Sequence, residues 1–148
     1  MKATTMIRLG VDLGARRVGL AICDAEEIVA SPLPSIRVRT PEDAFAAVVR
    51  EARERGAQEI VLGHPRNLDG RPGPASRAAE AFAERLRAAG FAVELWDERL
   101  TTAEAERTLR AANLSRKERR PLIDSQAAQV VLRTYLEWRR RRRDAGSD

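Results

Sequence analysis

Three short apolar segments lie close together at the start of the chain, and they restrict the fold more than any other feature. They cover residues 7–13, 18–23 and 28–33, and each has the length of a β-strand. The turn between the first two, from Gly14 to Arg17, is short enough for an antiparallel hairpin. The sequence therefore predicts a sheet that begins with three antiparallel strands.

The rest of the chain alternates helices with strands. Thr40 and Pro41 predict the N-cap and first residue of a helix that ends at Gly56. The predicted elements are strands at residues 58–63 and 91–96 and helices at residues 41–55, 75–89, 101–112 and 123 onward. The order β-β-β-α-β-α-β-α-α predicts an α/β protein with a mixed five-stranded sheet and helices on both faces.

The length and composition fit one domain. The chain has 148 residues, of which 43% are hydrophobic, and we expect a single domain over residues 1–138 and a basic, disordered tail over residues 139–148. No apolar run approaches the roughly 18 residues of a membrane helix, which favours a cytoplasmic protein without a membrane partner. The net charge of +5 favours nucleic acid as a partner, although the arginine tail is expected to add only nonspecific attraction.

The chain has one cysteine and one histidine, and neither is expected to act in a site. Cys23 lies in an apolar run and is expected to be a small buried side chain. His64 lies in a predicted loop, where a histidine is more often structural or exposed than catalytic.

Asp12 is the first candidate site residue. It lies within an apolar strand, where an unpaired carboxylate is costly and needs a partner such as a metal or an arginine. Gly10 and Gly14 are expected to leave open space beside it for a metal or a phosphate. An ion pair with Arg16 or Arg17 would be the structural alternative.

Asp97 and Glu98 follow the predicted strand at residues 91–96. Ligands of open α/β sheets gather at the carboxyl ends of strands, which makes both residues candidates. Neighbours on an extended chain point in opposite directions, so only one of them can readily face a site, and the sequence does not show which. Both could instead be loop charges that favour the next helix dipole.

Asp124 begins the last predicted helix. An N-cap role would explain an aspartate there, but Ala127 and Ala128 follow it at helical spacing and place it on the packed side. Phosphodiester hydrolysis commonly uses two divalent ions about 3.5–4 Å apart, and converging carboxylates suit magnesium or manganese (Mg2+ or Mn2+).

Basic and polar residues near these acids are candidates for nucleic-acid binding. Arg66 and Asn67 lie in a proline- and glycine-rich loop that could meet a phosphate, or they could serve the turn geometry. Arg99 follows Glu98 directly and could hold that carboxylate or a phosphate. Arg116 and Lys117 precede Asp124, where they would grip a nucleic-acid backbone or form a solvated loop.

Four blocks of the sequence resemble the YqgF family, which is described as pre-16S rRNA nucleases and as Holliday-junction-resolvase-like proteins. The blocks begin at Gly10 (GVDLG, followed by VGLA), Val61 (VLGHPRNLDG), Trp96 (WDERLTT) and Asp124 (DSQAA). The resemblance implies an RNase H-like fold and a role in maturing the 5′ end of 16S rRNA. It also implies that Asp12, Glu98 and Asp124 are the catalytic, metal-binding acids.

Two departures from the related RuvC resolvases favour RNA processing over junction cleavage. Those resolvases carry a further acid one helical turn after their last aspartate, where this chain has Ala127, and another after the fourth strand, where it has the loop leading to Asp69. The resemblance thus favours structured RNA, in a pre-ribosomal particle, as the substrate. Two alternatives stay open: a resolvase of branched DNA, and a non-catalytic RNA-binding assembly factor. The sequence leaves open a monomer or a homodimer.

Overall fold

The computed structural model describes residues 6–24, 26–27, 29–65, 71, 73–98 and 125–145. Its elements are β1 (Arg8–Leu13), β2 (Arg17–Cys23), β3 (Ala30–Arg37), α1 (Pro41–Glu54), β4 (Glu59–His64), α2 (Pro74–Ala88), β5 (Ala92–Asp97) and α3 (Gln126–Ala145). The predicted helix at residues 101–112 lies outside the described residues.

The five strands form one mixed sheet in the order β3-β2-β1-β4-β5. β1 pairs antiparallel with β2, and β2 pairs antiparallel with β3. β4 pairs parallel with both β1 and β5. The predicted sheet, with its first three strands antiparallel, is confirmed.

Helices cover both faces of the sheet, as predicted. Leu9 and Val11 of β1 belong to the core under α1 and α2, together with Ile60 and Leu62 of β4. A second core lies under α3 and includes Val61 of β4. Strand residues alternate between the two faces, so Gly10 and Asp12 of β1 and Gly63 of β4 belong to the α3 face. The α3 core comprises Ala21, Cys23, Ala30, Val61, Ala128, Val131, Leu132, Tyr135 and Leu136.

The predicted boundaries of α1 are confirmed by its caps. The Thr40 hydroxyl accepts a hydrogen bond from the Asp43 N–H at 3.1 Å, and Pro41 opens the helix. Gly56 follows the C-cap with φ +70°, a conformation that costs glycine little.

The third strand differs from its prediction. β3 spans Ala30–Arg37 instead of residues 28–33, and it runs through Pro32 and Pro34. The sequence led us to end the strand at Pro32 because proline cannot donate to a sheet ladder. β3 lies at the edge of the sheet, where a strand can leave one row of backbone groups unpaired, so proline is tolerated there.

The last helix extends further than expected. α3 continues to Ala145, so residues 139–145 are helical, whereas we expected the tail to be disordered from residue 139 onward. Arginine is a good helix former, and Glu137 lies 3.9 Å from both Arg133 and Arg141 at helical spacing. These local contacts let the helix continue beyond the sheet.

A buried arginine at the start of β1, at the opposite end of the strand from Asp12, links β1 to neighbouring elements. Arg8 is only 2% exposed and is paired with the carboxylates of Glu59 and Glu27. Its guanidinium carbon also lies 5.8 Å from the centre of the Tyr135 ring of α3. Burying a charge is costly unless it is paired, and two carboxylates meet that need here.

None of the helices in the described ranges has the length and apolar character needed to cross a bilayer.

Candidate functional site

Asp12 and Glu98 meet at the carboxyl ends of the parallel strands. Asp12 lies one residue before the end of β1 and is half-buried. Glu98 directly follows β5, and its side chain shares a hydrogen bond with Asp12. The structure thus brings together two of the three acids that the sequence singled out.

The structure also decides between Asp97 and Glu98. Asp97 is the last residue of β5 and is paired in register with His64 of β4. Glu98 lies beyond the strand, where the chain has left the sheet ladder, and it is Glu98 that bonds to Asp12. Asp97 contributes by its negative charge, which acts on Glu98 from the neighbouring position.

Glu98 holds a proton far more firmly than an ordinary glutamate. Burial is the largest cause, because a charged carboxylate is poorly solvated there, and the hydrogen bond to Asp12 is the next. The negative charges of Asp12 and Asp97 act in the same direction, and together these effects raise the pKa of Glu98 to about 8. A shifted pKa among converging carboxylates is typical of functional sites.

Gly63 makes room for the Glu98 side chain. A Cβ atom at Gly63 would lie 2.6 Å from Oε1 of Glu98 and 3.2 Å from its Cδ. Any larger residue at position 63 would therefore push Glu98 away from its place. Gly63 belongs to the block that carried the family resemblance, but its contact with Glu98 was not foreseen.

The expectation that Gly10 leaves ligand space beside Asp12 is wrong, whereas Gly14 borders a cavity there although its own Cβ position is filled. A Cβ at Gly10 would lie 2.8 Å from the carbonyl oxygen of Ala128 and 2.9 Å from Cβ of Leu132, so α3 fills that space. A Cβ at Gly14 would lie 2.8 Å from the carbonyl oxygen of Arg17, because the hairpin turn closes there. Both glycines serve close packing of the backbone.

Ser125 is a structural residue of the site that sequence reasoning missed. It is fully buried, and its hydroxyl accepts a hydrogen bond from the Leu20 N–H of β2 at 3.0 Å. It directly follows Asp124 in the sequence and precedes α3. The signal was a serine at a helix start, which we interpreted only as part of the block around Asp124.

His64 faces α2 and not the acid pair. It is 5% exposed, and its Nε2 lies 2.7 Å from the Ser76 hydroxyl and 3.1 Å from Oε1 of Glu80. Since both contacts are to residues of α2, His64 ties the end of β4 to that helix.

A cavity of about 410 Å³ opens beside Asp12 on the α1–α2 side. Phe82, Ala79 and Ala44 line its apolar part, and Thr40 and Arg39 add polar groups. Within the described residues, Asp12 therefore contacts Glu98 and also borders this cavity.

Six predicted site residues lie outside the described residues. They are the third acid and the candidate nucleic-acid contacts, namely Asp124, Arg66, Asn67, Arg99, Arg116 and Lys117. In the ranges that are described, no group of three or more histidine, cysteine, aspartate or glutamate side chains is close enough to hold a metal ion. The described part of the site is thus the Asp12–Glu98 pair.

Comparison with known proteins identifies the family. Residues 6–138 match the RuvX family, which is described as Holliday junction resolvase. The chain belongs to the RuvX family. The match covers the whole sheet and most of α3, and this RuvX chain keeps the acid pair within the matched range.

Curated relatives of this RuvX chain carry a different functional name. A protein of Anaeromyxobacter dehalogenans named "Putative pre-16S rRNA nuclease" is 44% identical over 135 residues, which cover 90% of this chain and 98% of the relative. A protein of Geobacillus kaustophilus with the same name is 42% identical over 138 residues, covering 91% of this chain and all of the relative.

Solved structures confirm the fold class. RuvC of T. thermophilus in complex with a Holliday junction matches with a TM-score of 0.57 and 18% identity, over 92% of this chain and 96% of that chain. The fowlpox virus resolvase, solved with Holliday junction DNA, matches with a TM-score of 0.59 and 13% identity, over 90% of this chain and 98% of that chain. At this identity the likeness shows the shared RuvC-like, RNase H-type fold.

Proposed function

We propose that this RuvX protein is a metal-dependent nuclease that hydrolyses phosphodiester bonds at the 5′ end of a 16S rRNA precursor. The observation that carries the proposal is the hydrogen-bonded pair of Asp12 and Glu98 at the carboxyl ends of the parallel strands. The names of its relatives support the substrate, because proteins more than 40% identical over nearly their full length are named for it.

The acid pair fits a magnesium or manganese ion. Both ions prefer oxygen ligands, and Asp12 and Glu98 offer carboxylate oxygens that already converge. Gly63 leaves room for the Glu98 carboxylate beside Asp12, which keeps the two groups together. Asp12 and Glu98 would hold the metal, with Asp124 as the third acid. When bound, the metal supplies a nucleophilic water at neutral pH and positive charge against the phosphate oxygens.

The protein residues have separate tasks in this proposal. Asp12 is held on a strand, so its carboxylate keeps a fixed position relative to the sheet edge. As a carboxylate, Glu98 would accept a hydrogen bond from the attacking water and so orient it. The Ser125 hydroxyl anchors the start of α3 to Leu20 of β2. Because Asp124 directly precedes Ser125 in the sequence, this anchor would limit the positions open to the third acid.

Candidate contacts to the nucleic acid remain part of the proposal. We propose that Arg66, Asn67, Arg99, Arg116 and Lys117 bind the phosphate backbone beside the acids. Backbone contacts of this kind position the substrate without reading its sequence, and they weaken as salt rises. We place this activity in the cytoplasm, on a monomer or a homodimer, with the pre-ribosomal particle as the setting.

A second candidate function is cleavage of four-way DNA junctions. The description of the RuvX family favours it, since that description names a Holliday junction resolvase. A resolvase would act as a symmetric dimer and make paired nicks in a junction. Symmetric nicking of junctions, together with no cleavage of the rRNA precursor, would replace our proposal with this one.

Three variants test the nuclease proposal on an RNA that spans the 5′ end of 16S rRNA. Asp12→Asn and Glu98→Gln should each reduce cleavage at least about 100-fold in Mg2+ or Mn2+, since each removes a charged ligand. Glu84→Gln is the matched control, because Glu84 is exposed on α2 and pairs only at the surface with Arg87.

Binding of the RNA in the absence of metal should be nearly unchanged in all three variants. Full cleavage by Asp12→Asn would exclude the assignment of the acid pair. Binding of RNA that needs no metal, with no cleavage by the wild-type protein in either metal, would instead favour a non-catalytic assembly factor.

A further inference from the structure

The positive charge of this protein is concentrated at the end of one helix. Residues 139–143 are five arginines on α3, and we call them the arginine end of α3. With Asp144 they carry a net charge of +4, out of +5 for the whole chain. The side chain of Arg141 is 79% exposed and that of Arg143 57% exposed. A strongly basic surface therefore faces the solvent there.

The course of α3 places this surface far from the acid pair. The helix begins beside Ser125, which is bonded to β2, and passes over Gly10 of β1 through Ala128 and Leu132. It then meets Arg8, at the start of β1, through Tyr135. α3 thus runs from the end of β1 that carries Asp12 toward the end that carries Arg8. Roughly sixteen residues of helix, at about 1.5 Å each, separate Ser125 from Arg141 by about 24 Å.

Two contacts, one within α3 and one to another element, limit the positions of the arginine side chains. The guanidinium of Arg142 lies over the Trp138 ring, 5.0 Å from its centre. Arg143 lies 3.7 Å from Glu27, in the connection between β2 and β3. Because the backbone is helical and two of the side chains have such contacts, the array of charges is more ordered than that of an unstructured tail. An array of this kind loses less conformational freedom on binding than a disordered tail would.

We propose that the arginine end of α3 is a second nucleic-acid contact, which binds the substrate backbone about seven nucleotides from the scissile phosphate. This inference rests on the proposed function, because it takes the acid pair as the place of cleavage. The spacing follows from about 24 Å of helix between Ser125 and Arg141 and from one phosphate of each strand per about 3.4 Å along the axis of a duplex. Arginine suits this role because its planar fork donates two hydrogen bonds to a phosphate.

The surface contact predicts that the protein distinguishes substrates by length. A duplex RNA of about 6 base pairs can contact the acid pair or the arginine end but not both at once, whereas one of about 20 base pairs spans both. The wild-type protein should bind the longer duplex at least about 10-fold more tightly. Because such contacts read phosphates and not bases, this preference should not depend on the base sequence.

The test replaces three charges, of which Arg142 contacts Trp138 and Arg141 contacts Glu137, both within α3 itself. The variant Arg140→Gln/Arg141→Gln/Arg142→Gln spares Arg139, which lies over Tyr135, and Arg143, which reaches Glu27. The matched control removes three exposed arginines of equal charge near the end of α1 by the substitutions Arg50→Gln, Arg53→Gln and Arg55→Gln.

Binding is measured by fluorescence anisotropy with both duplexes over a range of salt, without divalent metal so that no RNA is cut. The α3 variant should lose most of the length preference, and its salt slope on the long duplex should fall by about two to three, at about 0.9 per phosphate contact. The α3 variant should lose less affinity for the short duplex than for the long one, and the α1 variant should keep the length preference.

Three results would overturn the inference. One is an unchanged length preference in the α3 variant, and another is an equal loss in the α1 variant, which would mean diffuse electrostatic attraction. The third is a loss of binding only to phosphatidylserine vesicles, which would identify a membrane surface as the partner. Since the assay needs no cleavage, it is separate from the nuclease proposal: a preserved length effect with no cleavage of any RNA would contradict only the latter.

Discussion

Glu98 and Asp12 share a hydrogen bond, although one follows the last strand of the sheet and the other lies near the end of the first. Two carboxyl groups can share such a bond only when one of them carries a proton. The pKa of about 8 identifies Glu98 as the holder of that proton at neutral pH. The pair therefore stores a proton at the place where a cation would bind.

The stability of the metal-free protein should fall as the pH rises. Folding raises the pKa of Glu98 from 4.5 to about 8, so the folded state binds more protons than the unfolded state between these values. This contribution is fully present below the unfolded value and is lost as the pH rises through about 8. Melting temperatures of the wild type without metal should therefore decrease from about pH 5 to about pH 9, relative to Glu98→Gln. Parallel profiles of the two proteins would contradict the assignment.

Binding of Mg2+ or Mn2+ should release about one proton at pH 7, because a carboxylate must be deprotonated to act as a ligand. Calorimetric titration in buffers of different ionisation enthalpy measures this number directly. At about pH 9 the release should be much smaller, since Glu98 is already ionised above its pKa of about 8. Glu98→Gln should release little at either pH, and the same release from that variant would assign the proton to another group.

Replacing Gly63 should disturb Glu98 more than it disturbs the fold. The new Cβ of Gly63→Ala would lie 2.6 Å from Oε1 of Glu98, which is the far end of a flexible side chain that can turn away. The contact with Asp12 would then be lost, and a displacement of about 1 Å can cost roughly 100-fold in rate. We expect cleavage to fall by that order while the urea midpoint changes little.

The double variant Gly63→Ala/Glu98→Ala separates this effect from a general one. Because Glu98→Ala removes the carboxyl group that the new Cβ would displace, adding Gly63→Ala to it should cause no further loss of cleavage or stability. An additive loss would mean that Gly63 acts through the backbone of β4 and not through Glu98.

Much of the fold could be predicted because its signals are local. The apolar segments and their period gave the strands, and Thr40, Pro41 and Gly56 gave the ends of α1. The length of β3 could not be predicted, because tolerance of Pro32 depends on the strand being at an edge, which is a property of the whole sheet.

The site could be predicted only in part for the same reason. Strand alternation ends with β5, so no local rule could choose Glu98 over Asp97. The empty side of Gly10 suggested a ligand, but the sequence does not reveal that Ala128 occupies it. Asp124 was chosen from its helical spacing and the family resemblance, and its place as the third acid stays a prediction.

The bond between Ser125 and Leu20 should matter for both stability and cleavage. Ser125→Ala removes the acceptor of the buried Leu20 N–H, which should lower the free energy of unfolding by about 1–3 kcal/mol. It would also free the start of α3, next to Asp124, from β2. Ser76→Ala is the matched control at a second buried serine. It leaves Nε2 of His64 with its other partner, Oε1 of Glu80 at 3.1 Å, so the free energy of unfolding should fall by only about 1 kcal/mol. Urea unfolding and cleavage assays compare the two. Equal losses of stability with unchanged cleavage in Ser125→Ala would show that Ser125 does not position the third acid.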